Sequence, residues 1–117
     1  MRVEGEGRLA GPLRSALASQ EYAAVVILAA ADADTLVARV RSASEPVVLV
    51  VLDEAALDSL QLALLTATIG PLAVELAPTR RLCAASAATT AQTPLIAATL
   101  RYLANARSTT GQVLRVA

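Results

Sequence analysis

The sequence predicts an α/β domain built on a parallel sheet of about five strands. Short runs of Val, Ile and Leu alternate with longer segments whose apolar residues recur at helical spacing. The clearest run, residues 47–52, is apolar throughout, which is typical of a strand covered by helices on both faces. This alternation favours parallel strands joined by right-handed crossovers. The chain has 117 residues without a long linker or repeat, so we expect one domain over 1–117.

The first half of the chain predicts three strands and two helices. In order, these are a short strand over 1–4, a helix over 8–19 that breaks or starts near Gly11-Pro12, a buried strand over 25–28, a helix ending at Glu45-Pro46, and a strand over 47–52. Asp32 and Asp34 are each suited to cap the second helix. Gly5-Glu6-Gly7 predicts a turn.

The second half predicts two further helices and two further strands. Asp53 is suited to cap a long helix that begins at Glu54-Ala55. Because Pro71 removes a hydrogen bond, we expect a kink or a break at Gly70-Pro71. Residues 81–85 predict a strand, and Thr93-Pro94 predicts a capped helix start. The inward face of that last helix is expected to consist of Leu95, Ile96, Thr99, Leu100 and Leu103. Residues 112–116 predict the final strand.

Composition excludes most catalytic chemistries. The chain has no His, and all ten of its positive charges are Arg. Sites that depend on His or Lys, such as Ser-His-Asp, Cys-His, Tyr-Lys and phosphate-loop Lys sites, are therefore excluded. The single Cys excludes Cys/His zinc sites and internal disulfides. Zero net charge without a basic stretch argues against nucleic-acid binding.

The start of the chain, Met1-Arg2-Val3-Glu4, differs from a signal peptide, and the apolar run 23–31 is too short to span a bilayer. We therefore expect a cytoplasmic protein that does not bind a membrane.

Two constellations remain as candidate sites. Gly5, Gly7 and Gly11 have a spacing that lets phosphate approach the backbone at a helix N-terminus, although a plain turn explains them better. The pairs Asp32/Asp34 and Asp53/Glu54 follow strands and have the oxygen ligands that Mg²⁺ prefers, but helix capping is the favoured interpretation. We expect no bound cofactor and no metal.

Four further side chains have simpler interpretations. Cys83 lies in an apolar strand and is expected to be a buried, inert thiol. Tyr22 and Tyr102 are expected to be packing or interface residues. Arg80-Arg81 is expected to be solvated, with an acidic partner such as a carrier protein as the alternative.

The last sixty residues resemble short-chain dehydrogenases/reductases. Residues 64–78, ending in AVELAP, are similar to the long helix of that family, and residues 80–86 fall on its following strand. Residues 110–116, TGQVLRV, resemble its closing segment. The segment 105–116 is also similar to the end of the non-catalytic N-terminal domain of high-molecular-weight 3-oxoacyl-carrier-protein reductases. The resemblance implies a shortened Rossmann-like, or flavodoxin-like, sheet that lacks about two strands of the adenosine half.

The family's catalytic residues do not carry over to this chain. Counted back from Glu75, the family's Tyr falls on Asp58 and its Lys on Leu62. The sequence therefore predicts a domain that is not an enzyme. The family often pairs subunits through its long helix and last strand, so the candidate interface residues are Leu57, Leu60, Leu64, Leu72, Leu76, Val113, Leu114 and Val116.

We therefore expect a structural or oligomerisation module, either a homodimer or a heteromer with a short-chain reductase of fatty-acid or polyketide type. The alternative is a regulatory domain that binds a nucleotide or an acyl ligand, supported by the glycine spacing. A carboxylate-only enzyme that uses Asp32, Asp34, Asp53 or Asp58 is the least supported interpretation.

Overall fold

Five strands and four helices alternate in the computed structural model, which describes residues 1–19 and 22–117. The elements are β1 (Arg2–Glu4), α1 (Ala10–Leu17), β2 (Ala24–Leu28), α2 (Ala33–Ser42), β3 (Val47–Asp53), α3 (Ser59–Leu76), β4 (Arg81–Ala87), α4 (Thr93–Asn105) and β5 (Val113–Val116). All four strand pairings are parallel, and the order across the sheet is β1-β2-β3-β4-β5. The predicted α/β class, with a shortened Rossmann-like parallel sheet, is confirmed.

Alternate residues of each strand enter two separate apolar cores. On one face, strand residues such as Val26 and Leu49 pack with α1 and α4. On the other, residues such as Val25 and Val48 pack with α2 and α3. Because helices cover both faces of the sheet, the strand sequences are apolar at consecutive positions.

The helix positions correct the expected handedness of the crossovers. All four connections step in the same direction across the sheet, because the strands lie in sequence order. Helices on opposite faces then make crossovers of opposite hand. Two crossovers are therefore right-handed and two are left-handed, although right-handed connections dominate parallel sheets.

The long helix α3 differs from the prediction at its start. It begins at Ser59, and Asp58 is its N-cap in a reciprocal capping box: the Asp58 carboxylate accepts from the Gln61 amide at 2.8 Å, and the Gln61 side chain accepts from the Asp58 amide at 2.9 Å. Asp53 instead caps a turn, accepting from the Ala55 amide at 3.0 Å. The expected start at Glu54-Ala55 is wrong because the capping box fixes the later position.

Of the kink or break expected at Gly70-Pro71, the break is wrong, since α3 is helical through both residues. Pro71 costs one helical hydrogen bond, but the buried face holds the helix against the sheet on both sides of it. That face consists of Leu65, Ile69, Leu72, Ala73 and Leu76. In α1, by contrast, Gly11-Pro12 lies in the first turn, where Pro needs no amide partner, so the helix starts there as predicted.

The last helix α4 departs from the prediction in two places. Thr93 is its first residue rather than its cap, because Gln92 occupies the N-cap position. Leu95 is 50% exposed and so is not on the inward face, whereas Ile96, Leu100 and Leu103 are buried.

Arg80 and Arg81 are half-buried and satisfy backbone carbonyls, which corrects the expectation that both are solvated. The Arg80 guanidinium donates to the Val40 carbonyl, which lies in the last turn of α2, and to the Glu45 carbonyl, which lies beyond the end of that helix. The Arg81 guanidinium donates to four carbonyls at the end of α4 and in the loop after it, at 2.7–3.2 Å: those of Leu103, Ala104, Ala106 and Thr109. A cation there also interacts favourably with the negative end of the helix dipole.

We predict that Arg81→Ala lowers the free energy of unfolding by about 2–3 kcal/mol, because it removes charged donors from half-buried carbonyls. Arg107→Ala is the control, since Arg107 lies in the same loop but is exposed, and it should change stability by less than about 0.5 kcal/mol. Urea unfolding followed by circular dichroism measures both, and equal losses would contradict the role given to Arg81.

Candidate functional site

The carboxyl ends of the parallel strands all lie along one edge of the sheet, and the glycine turn is part of it. Gly5 follows β1 with φ +108°, and Gly7 has φ +119°. A Cβ on Gly5 would lie 2.8 Å from the Leu28 carbonyl oxygen, so the turn packs directly on the end of β2. A side chain at Gly5 is therefore excluded by both φ and contact.

An open cleft of about 650 Å³ lies over this turn. Its lining brings together all three predicted glycines with two acids and two arginines: Glu4, Gly5, Glu6, Gly7, Ala10, Gly11, Arg14 and Arg39. The Arg14 guanidinium donates to the Gly5 carbonyl at 2.8 Å and to the Val3 carbonyl at 3.4 Å, so it braces the turn. The lining thus combines Arg39 and the start of α1, whose charge and dipole favour an anion, with Glu4 and Glu6, whose charges oppose one.

An ion pair crosses this edge next to the cleft. Both guanidinium nitrogens Nε and Nη2 of Arg8 donate to the Asp53 carboxylate at 2.9 Å. Arg8 precedes α1 and Asp53 ends β3, so the pair passes over the end of the intervening strand β2. Asp53 is thereby bound by Arg8 and by the Ala55 amide rather than free to act as a base.

A second bidentate pair occupies the adjoining part of the edge. Arg115 of β5 donates to Glu54 at 3.0 and 3.1 Å, and the Ser86 hydroxyl of β4 donates to the same carboxylate at 2.9 Å. The hydrogen bond from Arg115, more than that from Ser86, holds the pKa of Glu54 below its ordinary value. Ser86 is a buried polar residue of the core, and this bond satisfies its hydroxyl group.

Asp58 and Leu62, the positions on which the family's Tyr and Lys fall, form no reactive pair. Asp58 is the N-cap of α3, and its carboxylate is used by the Gln61 amide. Leu62 is an apolar residue one turn into the same helix and packs against the α2/α3 core.

Comparison with known proteins agrees with this architecture. A family model described as SDR-like, short chain dehydrogenase-like protein, matches residues 15–116. The chain belongs to this SDR-like family. No curated protein matches the chain.

The carboxylate pairs of this SDR-like domain do not form a metal centre. Across residues 1–19 and 22–117, no three His, Cys, Asp or Glu side chains gather in one group. Asp32 is the N-cap of α2, accepting from the Thr35 hydroxyl at 2.8 Å and the Asp34 amide at 3.3 Å, and the Thr35 bond in particular lowers its pKa. Asp34 lies inside the first turn rather than at the cap.

The cysteine is buried, and the two tyrosines are at least partly exposed. Cys83 is buried in the core shared by α1 and α4, as predicted. The Tyr22 hydroxyl accepts a hydrogen bond from the Asn105 side chain at 2.9 Å, and the ring is partly exposed. Tyr102 is 64% exposed beside a groove that runs to β5.

The structure divides the candidate interface residues into two groups. Leu60 and Leu64 are 69% and 55% exposed, and Leu57, Val113 and Leu114 are partly exposed. Leu72, Leu76 and Val116 are core residues, so placing them in an interface is wrong. The reason for the error is that Leu recurs on both sides of α3, and spacing alone does not show which side faces the sheet.

The exposed face of α3 forms a continuous uncharged surface, called here the α3 stripe. Its members recur every three or four residues along the helix: Leu60, Ala63, Leu64, Ala67, Gly70, Pro71 and Val74. Sequence reasoning missed the small residues and Val74, which is 76% exposed. Their regular spacing with the two leucines was the available signal.

In the described part of the chain, α3 is the one helix with the length and apolar composition needed to cross a membrane. It also joins two neighbouring strands of one sheet, and its buried face completes the α2/α3 core.

We predict that Gly5→Ala destabilises the protein by at least about 2 kcal/mol, because alanine at positive φ is strained and its Cβ meets the Leu28 carbonyl. Gly11→Ala is the matched control. No described atom lies within 4 Å of a Cβ there, and alanine favours the helix, so stability should stay equal or rise by about 0.5 kcal/mol. Chemical unfolding measures both, and a harmless Gly5→Ala would contradict the close approach.

We predict that acid weakens the fold partly through Glu54. Because Arg115 lowers its folded pKa, the stabilisation is complete above the ordinary value of 4.5 and is lost as the pH falls through the lowered pKa. Glu54→Gln should therefore lower the Tm by about 2–4 °C at pH 7 and by less at pH 3. Thermal unfolding between these values measures the difference, and a constant difference at every pH would contradict it.

Proposed function

We propose that this SDR-like domain is a non-catalytic module that associates through the α3 stripe. Its partner is a second copy of the chain or a catalytic short-chain reductase of fatty-acid or polyketide type. The observation that carries the proposal is the stripe itself: exposed apolar surface in one contiguous patch is typical of a site of association.

The chemistry of the carboxyl edge supports the non-catalytic part of the proposal. A hydroxyl and an amine are missing at Asp58 and Leu62, and Asp58 is committed to a helix cap. Asp53 and Glu54 are each bound by an arginine in bidentate geometry. Both carboxylates are thus held in ion pairs, whereas a general base needs a free lone pair directed at the substrate.

The charge pattern around α3 supports association with protein rather than with lipid. Helices that bind membrane surfaces combine a cationic face with aromatic anchors. α3 contains neither a cation nor an aromatic residue. Its neighbour Arg41 is paired with Glu75 at 2.7 Å.

A second candidate function is regulatory binding of a nucleotide or acyl ligand in the 650 Å³ cleft. The approach of Gly5, Gly7 and Gly11 to one opening beside Arg39 favours it. Glu4 and Glu6 on the same lining oppose a phosphate. β1 is an edge of the sheet as described, so the strands that would hold an adenosine are not beside it.

The association is tested by sedimentation of the whole chain from about 1 to 200 µM, alone and with a catalytic short-chain reductase of the same organism. We expect a complex in one of the two cases, and we expect Leu64→Glu to abolish it. Leu95→Glu is the matched control: Leu95 is similarly exposed, at 50%, but lies on α4 across the sheet, so the complex should persist. A wild-type chain that stays monomeric and does not bind the reductase would contradict the proposal.

The second candidate is tested by calorimetry with NADPH, NADH and acyl-CoA. Binding in the cleft predicts heat that Arg39→Ala reduces, whereas no heat at millimolar ligand removes this function.

A further inference from the structure

We propose that a cleft at the amino ends of the strands binds a small organic carboxylate with a flat apolar body. The cleft lies beside the end of α4, at the opposite edge of the sheet from the glycine turn. The site therefore goes beyond the proposed association, since α4 and α3 cover opposite faces of the sheet.

This amino-edge cleft forms where the starts of three strands meet the end of a helix. Residues that precede or begin β2, β3 and β4 form one wall, and the last residues of α4 with the loop after it form the other. Its volume is about 370 Å³, at the lower end of the range of sites for small organic ligands.

Arg81 lines the cleft and keeps part of its guanidinium free. Its four bonds to backbone carbonyls use Nη1 and Nη2, so its Nε–H has no acceptor among residues 1–19 and 22–117. In the same residues no buried side-chain nitrogen lacks a partner, so this N–H is open to solvent. Nη2 donates to the Ala104 carbonyl alone, which leaves its second hydrogen free. Two donors of Arg81 therefore remain for a ligand.

The atoms left free on Arg81 are those through which this chain binds its own carboxylates. Four arginines each donate from Nε and Nη2 to the two oxygens of one Asp or Glu side chain: Arg2, Arg8, Arg41 and Arg115. Pairing at two points is stronger and more specific in geometry than a single bond. A carboxylate is therefore the group that fits Arg81.

The charges around the amino-edge cleft favour an anion. Arg107 lines it, and the side chain of Arg107 has no ion-pair or hydrogen-bond partner in the described part of the chain. The end of α4 contributes about half a negative charge, against the two positive charges of Arg81 and Arg107. None of the described lining residues is acidic. Glu45, which precedes the lining residue Pro46, is already paired with Arg2 at 2.8 Å.

The rest of the lining suits an apolar, flat body. The Tyr22 ring forms one side, and small apolar side chains such as Val47 and Ala104 form the remainder. An aromatic ring packs well against another in an offset or edge-to-face arrangement. The Tyr22 hydroxyl accepts a hydrogen bond from Asn105 at 2.9 Å, so its own proton is available to donate to the ligand.

NMR titration of the whole chain with benzoate tests the site. We expect saturable shifts of the Arg81 Nε–H and of the amides of residues 22–24 and 104–107, with a Kd of about 1 mM for so small a ligand. Benzamide has the same shape without the charge, and it should bind at least about tenfold more weakly.

Arg107→Ala tests the contribution of the unpaired cation. It should raise the Kd for benzoate about fivefold without unfolding the protein, because Arg107 is exposed. Arg101→Ala is the matched control: Arg101 is a cation one turn before the end of α4 that does not line the cleft, so the Kd should not change. Because Arg81→Ala is expected to weaken the fold, the role of Arg81 is measured from its Nε–H resonance in the wild-type protein.

Four results would each overturn the inference. These are no shift at about 20 mM benzoate, equal binding of benzamide, shifts confined to the carboxyl edge of the sheet, and an Arg107→Ala protein that binds as well as the wild type. Leu64→Glu should bind benzoate with the wild-type Kd, so a failure of this site and a failure of the proposed association are observed separately.

Discussion

Both faces of the sheet are buried, and four helices cover them among the residues described. If all four crossovers in this sequential sheet had the usual right hand, every helix would lie on one face. The other face, which includes Val26, Leu49 and Cys83, would then meet water. Placing α1 and α4 opposite α2 and α3 removes that exposure, at the expense of two left-handed crossovers. Burial of the sheet therefore decides the architecture, because each exposed aliphatic side chain costs about 1.5–3 kcal/mol.

This arrangement also shapes the carboxyl edge. In doubly wound sheets a ligand crevice forms where neighbouring connections leave toward opposite faces. Here α1 and α2 still diverge between β1 and β2, and the cleft over Gly5, Gly7 and Gly11 opens there. The region beside it is crossed by Arg8–Asp53 and occupied by Arg115–Glu54–Ser86. At this edge the side chains of Arg8, Asp53, Glu54, Ser86 and Arg115 bind one another.

The strands were predictable because a strand buried on both faces is apolar at every position, and 25–28 and 47–52 show this directly. The start of α3 could also have been predicted, since Asp58 and Gln61 have the spacing of a capping box. It was missed because Asp53 is also a suitable N-cap residue. The handedness of the crossovers and the role of Arg81 could not be predicted from the sequence. They depend on partners far along the chain, such as the carbonyls 22 to 28 residues after Arg81.

The outer face of α3 needs an explanation that composition does not supply. An alanine-rich and leucine-rich chain lowers the polarity of every helix, yet α1 still exposes Arg14 and α2 exposes Asp34 and Arg41. These helices have the usual pattern of a charged outer side and an apolar inner side. α3 departs from that pattern over four turns while its inner face is as well buried as theirs. Because a charge on the stripe would not disturb the core, its absence is not required for folding. The uncharged outer surface of α3 therefore supports the proposed association, because the stability of the single domain does not require it.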